Sequence, residues 1–346
     1  MDLTQIAKKT STRGTAVSLY TGAGGMDLGF YLAGYDIIWS NEINADAVKT
    51  YQSVFKNHEA TCGDILNQTL PDVKDLDLVF GGPPCQGFSV AGKMDPNDPR
   101  SQHVWNFLGV VKRLKPKSFV MENVKALGYN SRWSSLRDNL EKSSEELGYK
   151  TRIYVLNAAN YGVPQARERM FLVGTKIGLN KPIIPKEVSK KKRRVLNDVL
   201  KELPKYGKAG NDMKCTATIT PAKNPILRKS PFAGMLFNGQ GRPLNINTQS
   251  LTLPASMGGN RTPILDQRQI EESTEAWVIN YHNRLLRGLS PVKKVPSFLR
   301  RLTVQEASSI QTFPREMEFS GSLTSKFKQI GNAVPPLLAY HVAKSL

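Results

Sequence analysis

Short apolar runs punctuate the first half of the chain, at 16–20, 37–41, 76–80, 119–121, 153–156 and 170–173. Between them lie longer stretches, at 45–55, 105–114 and 134–147, whose apolar positions recur every three or four residues. The first pattern predicts buried strands and the second amphipathic helices. Gly148, directly after Leu147, is a stop signal for the third helix. Strands alternating with helices predict an α/β fold on a mostly parallel sheet. From about residue 180 the periodicity dissolves into Pro-, Gly- and Asn-rich sequence, which marks a domain boundary. Helical order returns near Leu302, where Thr303 and Glu306 have the spacing of a capping box. The expected division is one domain of residues 1–180 with 325–346, and a second of 181–324.

Composition narrows the class. A chain of 346 residues with 40% hydrophobic and 22% charged residues reads as a soluble globular protein with room for two domains. No apolar stretch approaches the roughly 20 residues of a membrane helix, and the start Met1-Asp2-Leu3-Thr4-Gln5 lacks a signal-peptide pattern. The three cysteines, Cys62, Cys85 and Cys215, have no metal-ligand spacing and make no even disulfide set, so a reducing cytoplasm and no metal are expected. The net charge is +19, and between Lys181 and Arg300 there are 22 Lys and Arg against 8 Asp and Glu, a surplus of 14. A surplus so concentrated suits a polyanion such as nucleic acid, although on charge alone a solubilising surface fits equally well. Lys190-Lys191-Lys192-Arg193-Arg194 reads as a solvated run or a phosphate contact.

Candidate chemistry gathers at the predicted strand ends. The strand at 16–20 runs into Thr21-Gly22-Ala23-Gly24-Gly25, where glycines let a backbone approach a ligand closely. No Gly-Lys-Ser/Thr follows, which excludes an NTPase P-loop. Alone, such a turn is as compatible with a purely structural role. Glu42 stands 20 residues beyond Gly22 at the end of the next strand, where a carboxylate can accept both ribose hydroxyls of a nucleoside. Asp64, between Gly63 and Ile65, would close the third strand and could accept from an adenine amino group. A nucleoside edge without a diphosphate signature fits S-adenosylmethionine better than a dinucleotide. After the run at 76–80 comes Gly81-Gly82-Pro83-Pro84-Cys85-Gln86-Gly87-Phe88-Ser89, a cysteine held out of the core on a loop stiffened by two prolines. Such a thiol can act as a nucleophile.

This order of motifs resembles the DNA (cytosine-5) methyltransferases of bacterial restriction-modification systems. The resemblance continues through Met121-Glu122-Asn123-Val124, Gln165-Ala166-Arg167-Glu168-Arg169, Arg301-Leu302-Thr303, Gln311-Thr312-Phe313-Pro314 and Gln329-Ile330-Gly331-Asn332-Ala333-Val334-Pro335-Pro336. It covers the chain from about residue 14 to its end, the basic middle excepted. It implies a Rossmann-like S-adenosylmethionine-dependent methyltransferase fold with an antiparallel last strand, plus a smaller, irregular β-rich target-recognition domain. It further implies methyl transfer to C5 of a cytosine flipped out of a specific double-stranded DNA sequence.

Carried over by position, Cys85 is the nucleophile, Glu122 holds the proton at N3, and Asn123 orients the loop. Arg167 and Arg169 serve the base O2 and the region of the nucleophile. Tyr20, Gly22, Gly24, Gly25, Glu42, Asp64, Ile65, Pro84, Asn332 and Val334 are the implied cofactor contacts. Ser89, Arg100, Arg242, Thr252, Asn260 and Arg261 are the implied DNA contacts. The implied partners are duplex DNA and a restriction endonuclease acting separately from a monomeric enzyme. Three positions depart from the family pattern: Ser18 replaces a common aspartate, Tyr20 a frequent phenylalanine, and His103 a usual leucine. Two rivals stand beside this reading. One is the same chemistry on transfer RNA, against which the loop Cys85-Gln86-Gly87-Phe88-Ser89 looks like the DNA branch. The other is a non-catalytic DNA-binding regulator, which the presence of every catalytic side chain opposes.

Overall fold

The alternating pattern of the first half becomes a single seven-stranded sheet in the computed structural model, which describes residues 12–56, 58, 60–84, 102–188, 191 and 193–346. Its strands are β1 (Gly14–Leu19), β2 (Tyr35–Glu42), β3 (Ala60–Cys62), β4 (Leu78–Gly81), β5 (Ser118–Val124), β6 (Tyr149–Asn157) and, after the two-residue β7 (Gln165–Ala166), β8 (Glu168–Lys176). The order across the sheet is β3-β2-β1-β4-β5-β8-β6. Strands β1 to β5 pair in parallel, and β8 runs antiparallel to both β5 and β6. The sheet is therefore mostly parallel with an antiparallel last strand, as expected.

Five helices accompany these strands: α1 (Gly25–Leu32), α2 (Ala45–Val54), α3 (His103–Leu114), α4 (Lys125–Tyr129) and α5 (Ser134–Glu146). Six more follow: α6 (Leu196–Leu200), α7 (Gln267–Glu271), α8 (Trp277–Leu286), α9 (Val304–Ile310), α10 (Leu323–Asn332) and α11 (Pro336–Lys344). Alternation along β1 sends Ala16 to one face of the sheet and Val17 and Leu19 to the other. On the first face Phe30 of α1 meets Phe80 and the C-terminal helix α11, through Leu337, Leu338 and Val342. On the second, Phe107 and Val111 of α3 pack with Trp133 and with Leu140 of α5. Burial on both faces explains why the central strands read as continuous apolar runs.

Beyond β8 the strands are short and paired in twos. Antiparallel pairs join β9 (Pro221–Ile226) to β10 (Met235–Phe237) and β12 (Ile264–Asp266) to β13 (Leu299–Arg301), while β11 (Ser250–Leu251) runs parallel to β7. One core here belongs to this segment alone, around Leu236, Phe237, Ile264, Val278 and Tyr281. Another is shared: Ala23 and Leu28 of the first half pack with Leu244, Leu253, Leu265, Ile310, Phe327 and Ile330. The capping box at α9 is present, with Thr303 Oγ1 accepting from the Glu306 N–H at 3.0 Å and Glu306 Oε2 accepting from the Thr303 N–H at 2.9 Å. Glu306 also takes two bonds from Arg300, at 2.6 and 2.8 Å, in a buried pair.

Candidate active site

In the strand order, β2 lies on one side of β1 and β4 on the other, so the connections leave in opposite directions between β1 and β4. Ligands in open α/β sheets bind at such a switch point, outside the carboxyl ends of the strands. Two loops flank it here, the glycine-rich turn after β1 and the Gly82-Pro83-Pro84 segment after β4.

The turn is shaped by left-handed backbone at Tyr20 (φ 55°), Gly22 (φ 56°) and Gly24 (φ 82°). A side chain at Gly22 would meet nothing within 4 Å, so this stretch faces open space. The Gly22 N–H donates to Glu42 Oε2 at 2.8 Å, and the Asn44 N–H donates to Oε1 at 2.9 Å. Burial raises the Glu42 carboxyl above its ordinary range, against these two backbone donors. Gly24 and Gly25 serve packing instead. A Cβ on Gly24 would lie 2.9 Å from the Tyr51 ring, and one on Gly25 only 2.5 Å from the Val334 carbonyl oxygen. Asp64 caps the turn Ile65–Asn67 through the Leu66 N–H at 3.1 Å, and Ile65 is buried behind it. Tyr20 stands close to Asp64: burial, and then the Asp64 charge, raises its phenol well above the ordinary value. A carboxylate with one bond per oxygen, an aromatic ring beside a second carboxylate, and backbone facing open space fit the nucleoside half of S-adenosylmethionine.

A second group of candidate residues is built on the end of β5. Glu122 is 8% exposed, and Arg169 Nε reaches its Oε1 at 2.9 Å across the β5–β8 pairing. Burial raises the Glu122 carboxyl despite the lowering by Arg169 and Arg167. The loop after β4 is moored to the same strand end. Asn123 Nδ2 donates to the Pro83 carbonyl at 3.2 Å, and a side chain on Gly82 would come within 2.9 Å of Glu122 Oε2. Pro84 is half-buried; Cys85, Ser89 and Arg100 lie outside the described residues. Arg167 lies in the interior. It is 0% exposed, and its terminal nitrogens donate to the carbonyls of Leu253 (3.2 Å), Gly331 (2.8 Å) and Asn332 (3.4 Å). Those donors are directed to main chain, so Arg167 joins three segments while its charge also acts on Glu122, and Arg169 makes the ion pair with that carboxylate.

Residues 14–346 match the family of C-5 cytosine-specific DNA methylases. The chain belongs to this family. It is 32% identical over 350 residues to the Type II methyltransferase M1.HphI of Haemophilus parahaemolyticus, covering 96% of this chain and 86% of that protein. It is 33% identical over 344 residues to the Type II methyltransferase M.FnuDI of Fusobacterium nucleatum, covering 95% and 93%. The fold matches that of the Entamoeba histolytica methyltransferase EhMeth with a TM-score of 0.65 at 15% identity, over 95% of this chain and 96% of that one. The protein is a DNA (cytosine-5) methyltransferase whose methyl donor is S-adenosylmethionine.

In this methyltransferase the segment after β8 presents the remaining sequence candidates on its surface. Arg242, Thr252, Asn260 and Arg261 are all exposed. Two of their loops touch: the Gly241 N–H donates to the Asn260 carbonyl at 3.1 Å, and Asn238 Nδ2 donates to Asn260 Oδ1 at 3.2 Å. Arg261 Nη1 donates to Ser256 Oγ at 3.4 Å. Thr252 Oγ1 donates to the Ala166 carbonyl at 3.0 Å, next to Arg167. Asn332 is exposed, while Val334 is buried against Gly25. Two motif residues to which the sequence assigned no role are supporting side chains. Arg301 is buried and donates to the carbonyls of Asn260 (3.0 Å), Thr262 (2.7 Å) and Ala217 (2.9 Å) and to Asn238 Oδ1 (3.2 Å), tying both exposed loops together. Gln165, also buried, accepts from the Leu253 N–H at 3.0 Å and donates to Gln311 Oε1 at 3.1 Å. Their membership in the motifs Arg301-Leu302-Thr303 and Gln165-Ala166-Arg167-Glu168-Arg169 was the signal available for them.

Proposed function

We propose that this enzyme methylates C5 of a cytosine within a specific double-stranded DNA sequence, after flipping the base out and adding the Cys85 thiolate to C6. The observation that carries this reading is the mooring of the proline loop. Asn123 holds the Pro83 carbonyl, two residues before Cys85, and Glu122 sits beside Gly82 on the same strand end. The Gly82-Pro83-Pro84 segment, which Cys85 follows in sequence, and the acid of β5 thus lie together at the carboxyl ends of β4 and β5. Thiolate addition at C6 pushes electron pairs toward N3, where the raised Glu122 carboxyl can hold or donate a proton. Arg169 keeps that carboxyl in place. The adduct makes C5 nucleophilic, and loss of the C5 proton after methylation expels the thiolate. When bound, S-adenosylmethionine supplies the electrophilic methyl group; Glu42, Asp64, Ile65 and Tyr20 are the residues that would hold its nucleoside.

Cytosine C6 is inaccessible in a stacked duplex, which is why flipping is required of methyltransferases as a class. Residues 181–300, with exposed Arg242, Asn260 and Arg261, are proposed to read the sequence around the target. DNA carrying 5-fluorocytosine tests the covalent step, since fluorine cannot leave as a proton does. The expected result is a trapped complex joined through Cys85, and none with Cys85→Ala. Trapping that maps to Cys62 or Cys215, or full turnover by the alanine variant, would overturn the mechanism.

A further inference from the structure

Helix α1 opens Gly25-Met26-Asp27-Leu28-Gly29-Phe30, and its one acidic side chain, Asp27, is completely buried. The carboxylate lies under the glycine-rich turn. Ser18 of β1, Thr21 of the turn and Tyr51 of α2 face it with their hydroxyls, which lower its proton affinity. These contacts are looser than ordinary hydrogen-bond geometry for all five buried oxygens; the Tyr51 hydroxyl also faces Ser40, and Asp27's own main-chain N–H faces its carboxylate. Burial outweighs the hydroxyls and pushes the acid up to about 6. At pH 8 the fold therefore encloses a charge that an amide of the same shape would avoid.

The positions of these hydroxyls suggest what the charge does. Ser18 and Thr21 flank Tyr20, a bulky residue held at φ 55° where side chains are disfavoured. The third hydroxyl belongs to Tyr51, whose ring occupies the space against Gly24. One acceptor-only group thus faces a hydroxyl on each side of the strained residue and one on the helix packed beneath. We infer that Asp27 is a positioning residue for the cofactor turn, its carboxylate drawing Ser18, Thr21 and Tyr51 together so that Tyr20 and Gly22 hold the shape that receives S-adenosylmethionine. A protonated acid or an amide also donates, and would turn at least one hydroxyl away. The same arrangement gives the serine at position 18 a partner, since the carboxylate arrives from the helix instead of the strand. This inference rests on the reading of the turn as the cofactor site.

The test measures two quantities on the intact protein at pH 8: thermal unfolding without ligand, and calorimetric binding of S-adenosylhomocysteine. Asp27→Asn should unfold at or above the wild-type temperature, because a buried charge is removed, yet bind about tenfold more weakly. Unchanged affinity overturns the proposal. So does a parallel fall in unfolding temperature and affinity, the mark of a merely structural residue. Asp27→Ser combined with Ser18→Asp returns a carboxylate to the same pocket from the strand side, and should regain most of the affinity that Asp27→Ser loses. A double variant that folds like wild type but stays as weak as the single one overturns it too. Wild-type protein that binds no S-adenosylhomocysteine would instead refute the cofactor assignment of the turn.

Discussion

At the scale of single residues, Glu122 shows how location sets chemistry. The same carboxylate on the surface would be ionised at neutral pH; here burial holds its proton to higher pH than the ordinary 4.5, although Arg169 opposes this. The sign follows from linkage. The folded protein binds that proton more tightly than the unfolded chain, so Glu122 adds stability at low pH, and this is lost as pH rises through the raised value. Glu122→Gln should therefore flatten this part of the stability profile. It should also lower kcat by about 10²–10⁴, the usual worth of a positioned general acid. Binding of S-adenosylhomocysteine should not change, because Glu122 lies on β5, separated by β4 from the turn after β1. A variant that keeps wild-type kcat would remove Glu122 from the reaction. Glu42 is the complementary case: Glu42→Ala leaves the Gly22 and Asn44 N–H groups without their acceptor. It should weaken cofactor binding by about 1.5–3 kcal/mol, with DNA affinity unaltered. An unchanged cofactor Kd would leave Glu42 as a brace for the turn alone.

At the scale of elements, legibility followed burial. Strands β1, β4 and β5 are covered on both faces, so their apolar runs stood out in the sequence. The edge strand β6 was visible only in its second half, because Lys150 and Arg152 point to solvent and interrupt the run. Pairings as short as β7 with β11 leave no periodic trace at all, yet they place Thr252 and Leu253 beside Arg167. Arg167 was legible as a motif residue, but its bonds to the Leu253 and Gly331 carbonyls were not, since motif spacing carries no information on distant main chain. The capping box at α9 was legible because its two bonds depend only on residues three apart. Thr303 is fully buried and also donates to Asn211 Oδ1 at 2.6 Å. Thr303→Ala should therefore cost about 1–2 kcal/mol, the upper range for a lost N-cap, read as a lower denaturant midpoint. A loss below a few tenths of a kcal/mol would show that Arg300 and Glu306 hold α9 without the cap.

At the scale of the whole molecule, charge and core sharing decide how the two halves cooperate. The surplus of 14 positive charges between Lys181 and Arg300 already subtracts Glu187 and Glu202, which pair with Arg193 and Arg194, and it is reduced further where Arg300 pairs with Glu306 outside the segment. If the segment reads DNA, binding must fall steeply with salt: six phosphate contacts would give a log–log slope of about −5. Lys191→Ala with Lys192→Ala should flatten that slope by about 2 if both lysines meet phosphate. Arg261→Ala should instead relax the target sequence, losing about 1–3 kcal/mol of discrimination if it reads a guanine edge. The sharpest measurement is a transplant of residues 181–300 from a relative of different specificity. Leu244, Leu253, Met257 and Leu265 lie in a core shared with Ala23 and Leu28, so the donor must carry apolar residues of similar volume there. The Leu253 carbonyl must also remain within reach of Arg167. Under those conditions the hybrid should methylate the donor's sequence while still requiring Cys85. A hybrid that is active on the original sequence would place recognition outside this segment.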